Sequence, residues 1–245
     1  IMQLVDRDRG ELLYNSMDNR RQAPGGSVAN TIAGIGELGL KTGFIGKVGN
    51  DDLGNFYRST MEEKGTDFLN ELIDESDLPT SRSMIFVSDD GERSMNTYLG
   101  ISAELGPDDV NLEVASNAEI VFLEGYLFDK DKGKEAFIKL AKECRMAGGL
   151  SGIAISDPFC VERHRSDFLS LIKNELDYVI GNKEEIMALF ETDNFESALL
   201  KAADISPLVV CTRSSEGVTA IQNGNRVDFK VKPITPVDAT GAGDQ

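Results

Sequence analysis

The chain has 245 residues, of which 40% are apolar, 27% charged and 7% aromatic, and its formal net charge is −17. This composition is typical of a globular protein and excludes a disordered chain, a collagen-like chain and a small disulfide-stapled scaffold. The acidity argues against nucleic acid and anionic membranes as partners, because both are bound through clusters of Lys and Arg. A small anionic ligand remains compatible with it, since a few backbone N–H groups can hold such a ligand.

The predicted helices and strands alternate along the chain. In chain order they are a helix at 27–38, a strand at 43–48, a helix at 52–64, strands at 84–88, 94–99 and 119–124, a helix at 132–147, strands at 152–156 and 177–180, helices at 183–190 and 195–203, and strands at 207–212, 218–221 and 226–231. This alternation predicts an α/β fold with a mostly parallel sheet and helices on both faces. Most strands are continuous apolar runs, which favours burial on both faces. Residues 223–225 predict a hairpin turn.

Segment 74–99 breaks this alternation, because it contains turns and short strands without a clear helix. Residues 89–92 predict a tight turn between two extended pieces. A small β flap over a cleft would exclude water from a reaction, whereas an ordinary edge hairpin would have no such role. The sequence leaves both interpretations open.

Histidine and cysteine content restricts the chemistry further. His164 is the single histidine, which excludes a multi-histidine zinc site, and its charged neighbours favour an exposed helix start over a catalytic base. Cys144, Cys160 and Cys211 are too widely spaced for a CxxC motif, and unpaired cysteines in odd number favour a reducing compartment. No signal peptide is visible and no run reaches the ~18 apolar residues of a membrane helix. We therefore expect a cytoplasmic protein without membrane contact.

Residues Gly34–Gly39 match the pattern G-x-G-x-x-G, which occurs in dinucleotide-binding folds. That fold requires a strand before the motif and a helix that starts within it. Here the preceding residues 27–33 already have a helical pattern. The pattern favours glycines inside a helix, with Gly39 as its stop signal, over an NAD-dependent dehydrogenase.

Two other glycine-rich segments are stronger candidates for a functional site. The first has Gly25 and Gly26 before a predicted helix, with Asn30 on its first turn. Two adjacent glycines allow close approach of a ligand to the backbone, and an amide with two donors and one acceptor suits a diol. A plain turn before a capped helix is the structural alternative.

The second segment covers residues 237–244 and ends in Gly241, Ala242, Gly243 and Asp244. A helix that starts at these small residues would present free N–H groups to a phosphoryl group as its negative charge develops. Asp244 would lie beside that group and could take the proton of an attacking hydroxyl. The alternative is a capped helix with a stabilising acid in its first turn.

Together these segments resemble the two signatures of the ribokinase/pfkB family of carbohydrate and nucleoside kinases. The first similarity continues through 39–54, and the family's N-x-x-E and T-x-G-x-x-G elements resemble residues 182–185 and 212–217. The resemblance implies a ribokinase-like three-layer αβα sandwich with a mostly parallel central sheet and a small β lid. It implies one kinase domain over 1–245, incomplete at both ends, with a lid formed by about 74–99 and part of 1–26. The family's first strand would precede Ile1, and further helices would follow Asp244.

The resemblance also implies a role for each matching residue. Asp244 would be the catalytic base, and the anion hole would consist of Gly241, Ala242 and Gly243. ATP would be bound by Asn182, Glu185, Thr212, Ser214 and Gly217, with Glu185 holding Mg²⁺ through water. A monovalent cation such as K⁺ would be bound by Asp238 and Thr240, and the acceptor by Gly25, Gly26 and Asn30. Ser214 stands where the family usually has glycine.

Segments 93–100, 123–127 and 156–160 most resemble bacterial adenosine kinases. The aromatic side chains Tyr98, Tyr126 and Phe159 in them could stack on a purine, although a core or interface position is the favoured interpretation of each. We predict ATP-dependent phosphorylation of a primary hydroxyl of a nucleoside, adenosine giving AMP. A ribokinase- or fructokinase-like sugar kinase, the dehydrogenase and a non-catalytic ligand sensor are the alternatives. The expected partner is a small nucleoside or sugar, and the chain would be a monomer or homodimer.

Overall fold

A computed structural model of the chain describes residues 2–88 and 93–232. Contacts divide the chain into two compact units, Ile1–Leu105 and Gly106–Gln245. Each unit has a hydrophobic cluster of its own. Across the described residues, no helix combines the length and the apolar character that crossing a membrane requires.

The first unit combines short strands with helices. In chain order its elements are β1 (Met2–Leu4), α1 (Arg7–Ser16), α2 (Ser27–Glu37), β2 (Thr42–Phe44), α3 (Asp52–Glu63), β3 (Thr66–Phe68), β4 (Arg82–Val87), β5 (Arg93–Tyr98) and a 3-10 helix (Gly100–Glu104). One sheet has the order β1-β5-β4, in which β4 and β5 are antiparallel and β1 is parallel to β5. The predicted strand pair in 84–99 is therefore confirmed, whereas the predicted turn at 89–92 lies outside the described residues. A second, parallel pair consists of β2 and β3.

A buried junction fixes the start of α3. Asp51 caps this helix by accepting from the Gly54 N–H at 2.8 Å, and it also accepts from the Thr80 N–H at 2.8 Å. The Thr80 hydroxyl accepts in turn from the Gly49 N–H at 2.9 Å. Burial raises the pKa of Asp51, but the hydrogen bonds from Thr80 and Gly54 outweigh it, so that this pKa lies below its ordinary value. Asp51 thus ties the loop after β2 to the segment before β4.

The second unit is built around a six-stranded sheet. Its elements are a 3-10 helix (Pro107–Asp109), α4 (Leu112–Asn117), β6 (Ile120–Glu124), a 3-10 helix (Gly125–Asp129), α5 (Asp131–Met146), β7 (Leu150–Ala154), α6 (Pro158–Glu175), β8 (Tyr178–Asn182), α7 (Lys183–Leu189), α8 (Phe195–Ile205), β9 (Leu208–Thr212), a 3-10 helix (Ser214–Glu216), β10 (Val218–Gln222) and β11 (Asn225–Phe229). The strand order is β11-β10-β9-β8-β7-β6. Strands β6 to β9 are parallel, and the hairpin β10–β11 is antiparallel. Its turn residues Asn223 and Gly224 have φ of +48° and +80°, as the predicted tight turn requires.

Neighbouring positions of this sheet differ in burial. Val179, Val209 and Cys211 are fully buried, in a core shared with α5, α6, α7 and α8. Ile180 and Val210 on the opposite face are only half-buried. Strands β6, β8 and β9 therefore alternate in burial, unlike the continuous burial that their apolar sequences predicted, whereas β7 has three buried residues in succession.

The sequence predicted only an exposed helix start near His164, whereas helix α6 begins earlier in the chain. The helix begins with Asp157 as its cap and Pro158 in its first turn, and it is kinked at His164, where φ is −125°. The prediction of an exposed helix start at His164 is therefore wrong. Its ring nitrogen Nε2 lies 2.7 Å from a carboxylate oxygen of Asp129, which also pairs with Arg163. A hydrogen bond to Asp129 on a half-buried surface accounts for this histidine.

Candidate active site

The glycine pair lies directly before α2, as predicted. Gly26 is the capping residue and has φ of +110°, a conformation that disfavours any other residue. Ser27 is the first helical residue, in agreement with the predicted start of this helix. The N–H of Asn30 donates to the Gly26 carbonyl at 2.9 Å, so the structure brings Asn30 and Gly26 together on one helical turn.

Gly25 differs from Gly26 because neither its backbone nor its packing requires glycine. Its φ lies outside the left-handed region. Among the described residues, no heavy atom lies within 4 Å of the position that a Cβ at Gly25 would take. The space over Gly25 is therefore open as far as the described residues are concerned.

The predicted nucleotide-binding residues lie at the carboxyl ends of adjacent parallel strands. Asn182 ends β8, Thr212 ends β9, and the two are directly paired in the sheet. In open α/β sheets, ligands bind beyond the carboxyl ends of the strands. The structure therefore brings Asn182, Glu185 and Thr212 to the edge where such a fold binds ligands.

Asn182 and Glu185 form a reciprocal cap at the start of α7. The Glu185 N–H donates to the Asn182 side chain at 2.8 Å, and the Asn182 N–H donates to the Glu185 carboxylate at 2.9 Å. The Asn182 amide donates to the other carboxylate oxygen at 2.7 Å. Glu185 is only 7% exposed, and this burial raises the pKa of its carboxyl group. Both carboxylate oxygens are thus held by one neighbour.

This geometry limits how Glu185 could hold a metal ion. Each oxygen keeps a further lone pair beyond its bond to Asn182, so water-mediated contact with Mg²⁺ fits the arrangement. Within residues 2–88 and 93–232, no cluster of three or more His, Cys, Asp or Glu side chains could bind a metal directly. The described donors therefore suit an outer-sphere role.

The loop after β9 has two residues with positive φ. Ser214, which stands where the family usually has glycine, has φ of +49°, and Gly217 has φ of +98°. A Cβ on Gly217 would lie 1.9 Å from the Phe229 carbonyl oxygen, so glycine is required there. The serine at 214 thus keeps the backbone conformation that glycine favours.

A strained turn, which no sequence pattern indicated, follows β7 at the same sheet edge. Ser156 has φ of +77°, and the Asp157 N–H donates back to the Ile155 carbonyl at 3.1 Å in a rare three-residue turn. The Ser156 hydroxyl accepts from the Gly125 N–H at 3.0 Å and donates to the Ala154 carbonyl at 3.1 Å. Its strained backbone and two hydrogen bonds connect the ends of β6 and β7. Only the tertiary structure reveals that Ser156 is strained.

The three aromatic candidates have different environments. Tyr98 is 9% exposed, which confirms its core assignment, whereas Phe159 is 70% exposed, so the core assignment is wrong there. Tyr126 is half-buried. Its burial, and to a smaller extent the negative charges of Asp157 and Glu124, raise the pKa of its phenol. Phe159 therefore offers an open ring face beside the strained turn.

The second glycine-rich segment lies outside the described residues. This applies to the predicted base Asp244, to the predicted anion hole of Gly241, Ala242 and Gly243, and to the predicted cation ligands Asp238 and Thr240. Their assigned roles remain predictions.

The structure explains the misleading glycine motif at 34–39. Gly34 and Gly36 lie inside α2, and Gly39 follows its end with φ of +87°. A Cβ on Gly36 would lie 2.7 Å from the Thr66 hydroxyl and 2.8 Å from the Lys64 carbonyl oxygen. Close packing of α2 against its neighbours thus accounts for Gly36, and the helix does not start within the motif as a dinucleotide site requires.

Comparison with known proteins identifies the family. Residues 2–245 match the model of the pfkB family carbohydrate kinases. The chain belongs to this family. It is a phosphotransferase with the ribokinase-like α/β fold that its solved relatives share.

The names of individual relatives indicate different phosphoryl acceptors. The chain is 41% identical to the adenosine kinase from Sinorhizobium meliloti, with a TM-score of 0.93 over 99% of this chain and 75% of that one. It is 39% identical to a "probable sugar kinase protein" from Rhizobium etli CFN 42, with a TM-score of 0.92 over 99% of this chain and 74% of that one. The fructokinase from Escherichia coli is 29% identical, with 96% of this chain and 78% of that protein covered. Membership in the pfkB family therefore establishes phosphoryl transfer and leaves the acceptor open.

Proposed function

We propose that this kinase transfers the γ-phosphoryl group of ATP to a primary hydroxyl of a nucleoside, converting adenosine to AMP. The proposal draws on the 41% identity with an adenosine kinase along nearly the whole chain. The acceptor site is proposed from the space over Gly25, which is open among the described residues and lies next to the strained backbone of Gly26 and the first helical turn with Asn30. A hydroxyl-bearing ligand can approach that backbone closely.

ATP is assigned to the carboxyl edge of the six-stranded sheet. Thr212, Ser214 and Gly217 form the loop that would follow the nucleotide, and Asn182 would contact its phosphates. Mg²⁺ would neutralise charge on those phosphates, with Glu185 orienting its water shell. The reciprocal cap pre-orients the Glu185 carboxylate for this task, because both of its oxygens are already fixed.

The chemical step follows from the residues of the second signature. Asp244 accepts the proton of the acceptor hydroxyl, the oxygen forms a bond to the γ-phosphorus, and the bond to the β-phosphate oxygen breaks to release ADP. The N–H groups of Gly241, Ala242 and Gly243 stabilise the charge that develops. Asp238 and Thr240 would hold a monovalent cation such as K⁺. The sheet β1-β5-β4 would act as the lid that excludes water.

A sugar kinase is the second candidate, and the fructokinase relatives favour it. Its chemistry would be identical, so only the acceptor distinguishes the two. The exposed ring of Phe159 favours the nucleoside, because a purine could stack on it.

The test compares adenosine, inosine, ribose and fructose side by side with the full-length protein. ADP release is measured at saturating ATP and Mg²⁺, with the acceptor varied. We expect adenosine to have the highest kcat/KM. A higher kcat/KM for a free sugar would replace the nucleoside with that sugar, and tight NAD(H) binding without ATP binding would reject a kinase.

A further inference from the structure

The tyrosine on α3 is held by aromatic neighbours and reaches the glycine pair. The ring of Tyr57 packs against Phe44 and Phe68, with centroids 6.0 Å and 6.2 Å away. Phe44 and Tyr57 also pack against the small cluster that contains Met61 of α3. Because the ring is packed on two sides, its hydroxyl has a defined position. From there it donates a hydrogen bond to the Gly25 carbonyl at 3.0 Å.

This bond constrains the peptide unit that joins the two glycines. Among the described residues, no atom approaches the Cβ position of Gly25, and a Cβ on Gly26 would lie 3.7 Å from the Tyr57 hydroxyl. Two adjacent glycines have many accessible backbone conformations, so their peptide would otherwise rotate readily. The hydroxyl of Tyr57 therefore selects one orientation.

The planarity of the peptide extends this constraint to the Gly26 N–H. In a trans peptide the carbonyl oxygen and the N–H point in opposite directions. When the Gly25 carbonyl points to Tyr57, the Gly26 N–H points away from α3. We propose that Tyr57 is a positioning residue for the acceptor, which aims the Gly25–Gly26 peptide at the acceptor's hydroxyl groups. This inference rests on the proposed acceptor site at the glycine pair.

The expected signature is confined to the acceptor. Tyr57→Phe removes one hydroxyl and keeps the ring that packs against Phe44 and Phe68. Loss of a single orienting hydrogen bond should raise KM for the acceptor roughly five- to tenfold. The ATP-binding loop lies in the other unit, so KM for ATP and kcat should stay within about twofold of the original protein.

Tyr178→Phe provides a matched control. The Tyr178 hydroxyl donates to the Val121 carbonyl at 2.9 Å, which is the same kind of bond. Tyr178 lies at the amino end of β8, four residues before Asn182. Loss of the Tyr178 hydroxyl should lower stability in the same way as loss of the Tyr57 hydroxyl and leave KM for the acceptor unchanged.

The experiment measures KM and kcat for acceptor and for ATP, together with thermal unfolding, for the full-length protein and both variants. An increase in acceptor KM in Tyr57→Phe alone supports the positioning role. Equal acceptor KM values in all three proteins overturn it, as does a parallel change of every constant with a lower Tm. If the unmodified protein phosphorylates no nucleoside or sugar, the proposed function fails and the inference fails with it. If the unmodified protein is active and Tyr57→Phe has the same acceptor KM, the inference is overturned while the proposed function stands.

Discussion

Gly25→Ala should separate binding from stability at the glycine pair. Among the described residues, no heavy atom lies within 4 Å of the new Cβ, and the φ of Gly25 lies outside the left-handed region. The folded protein therefore accommodates the methyl group, while the unfolded chain loses conformational freedom. Substitutions of this kind stabilise by about 0.4–1 kcal/mol. We expect the variant to be at least as stable as the original protein.

The same methyl group should weaken acceptor binding. A ligand that hydrogen-bonds the backbone at about 2.9 Å would be displaced by a methyl group, and loss of one such bond costs about 1.4 kcal/mol. That corresponds to about a tenfold lower kcat/KM for the acceptor. KM for ATP should not change, because the loop proposed to bind ATP follows β9 and belongs to the other unit.

The assay measures ADP release at varied acceptor and varied ATP, with thermal unfolding in parallel. Gly34→Ala is the matched control, because its Cβ position is also open among the described residues and Gly34 lies inside α2. It should stabilise the helix by up to about 1 kcal/mol and leave all kinetic constants unchanged. A Gly25→Ala variant with the original kcat/KM for every acceptor would refute the reasoning, and so would equal losses in both variants.

Four further predictions address other parts of the site and fold. Asp244→Asn should lower kcat by at least ~10² and spare ATP affinity, since a general base contributes about that much; unchanged turnover would remove Asp244 from the mechanism. Glu185→Gln should keep only one of the two bonds that the carboxylate accepts from Asn182, because the new NH2 group cannot accept the other, and should cost about 1 kcal/mol in urea unfolding while raising the half-saturating Mg²⁺ concentration about tenfold; a large loss of stability with an unchanged Mg²⁺ requirement would mean a purely structural role. Asp51→Ala should cost about 2 kcal/mol at pH 7, with Asp52→Ala nearly neutral. Because the folded-state pKa of Asp51 is lowered, its contribution should be fully present above its ordinary value of 3.8 and be lost as the pH falls from there through the lower folded-state pKa, so a pH-independent difference would contradict the assigned hydrogen bonds. Phe159→Ala should lower kcat/KM for adenosine about fivefold relative to ribose, and an equal effect on both acceptors would argue against purine stacking.

The parts of the fold that could be predicted depend on local signals. The helices α2, α3, α5, α7 and α8 and the strands β6 to β11 have apolar periodicity and adjacent turn residues, and the structure confirms them with small shifts of their ends. The reciprocal cap of Asn182 and Glu185 depends on residues three positions apart, so its pattern is visible in the sequence. The start of helix α6 was missed although Asp157 and Pro158 are a helix-start signal, because the charged residues around His164 interrupt its apolar pattern at the kink.

The sequence by itself determined the family, most of the helices and strands around the six-stranded sheet, and the glycines that a backbone conformation requires, such as Gly26 and Gly217. These features depend on residue type and short spacing, which the chain carries in linear form. Tertiary structure alone decided that Gly25 lies beneath open space and that the Tyr57 hydroxyl reaches it from 32 positions away. It also decided that Ser156 is strained between two strand ends. Such features arise from the packing of distant segments, and no local pattern encodes which side chain will meet which backbone.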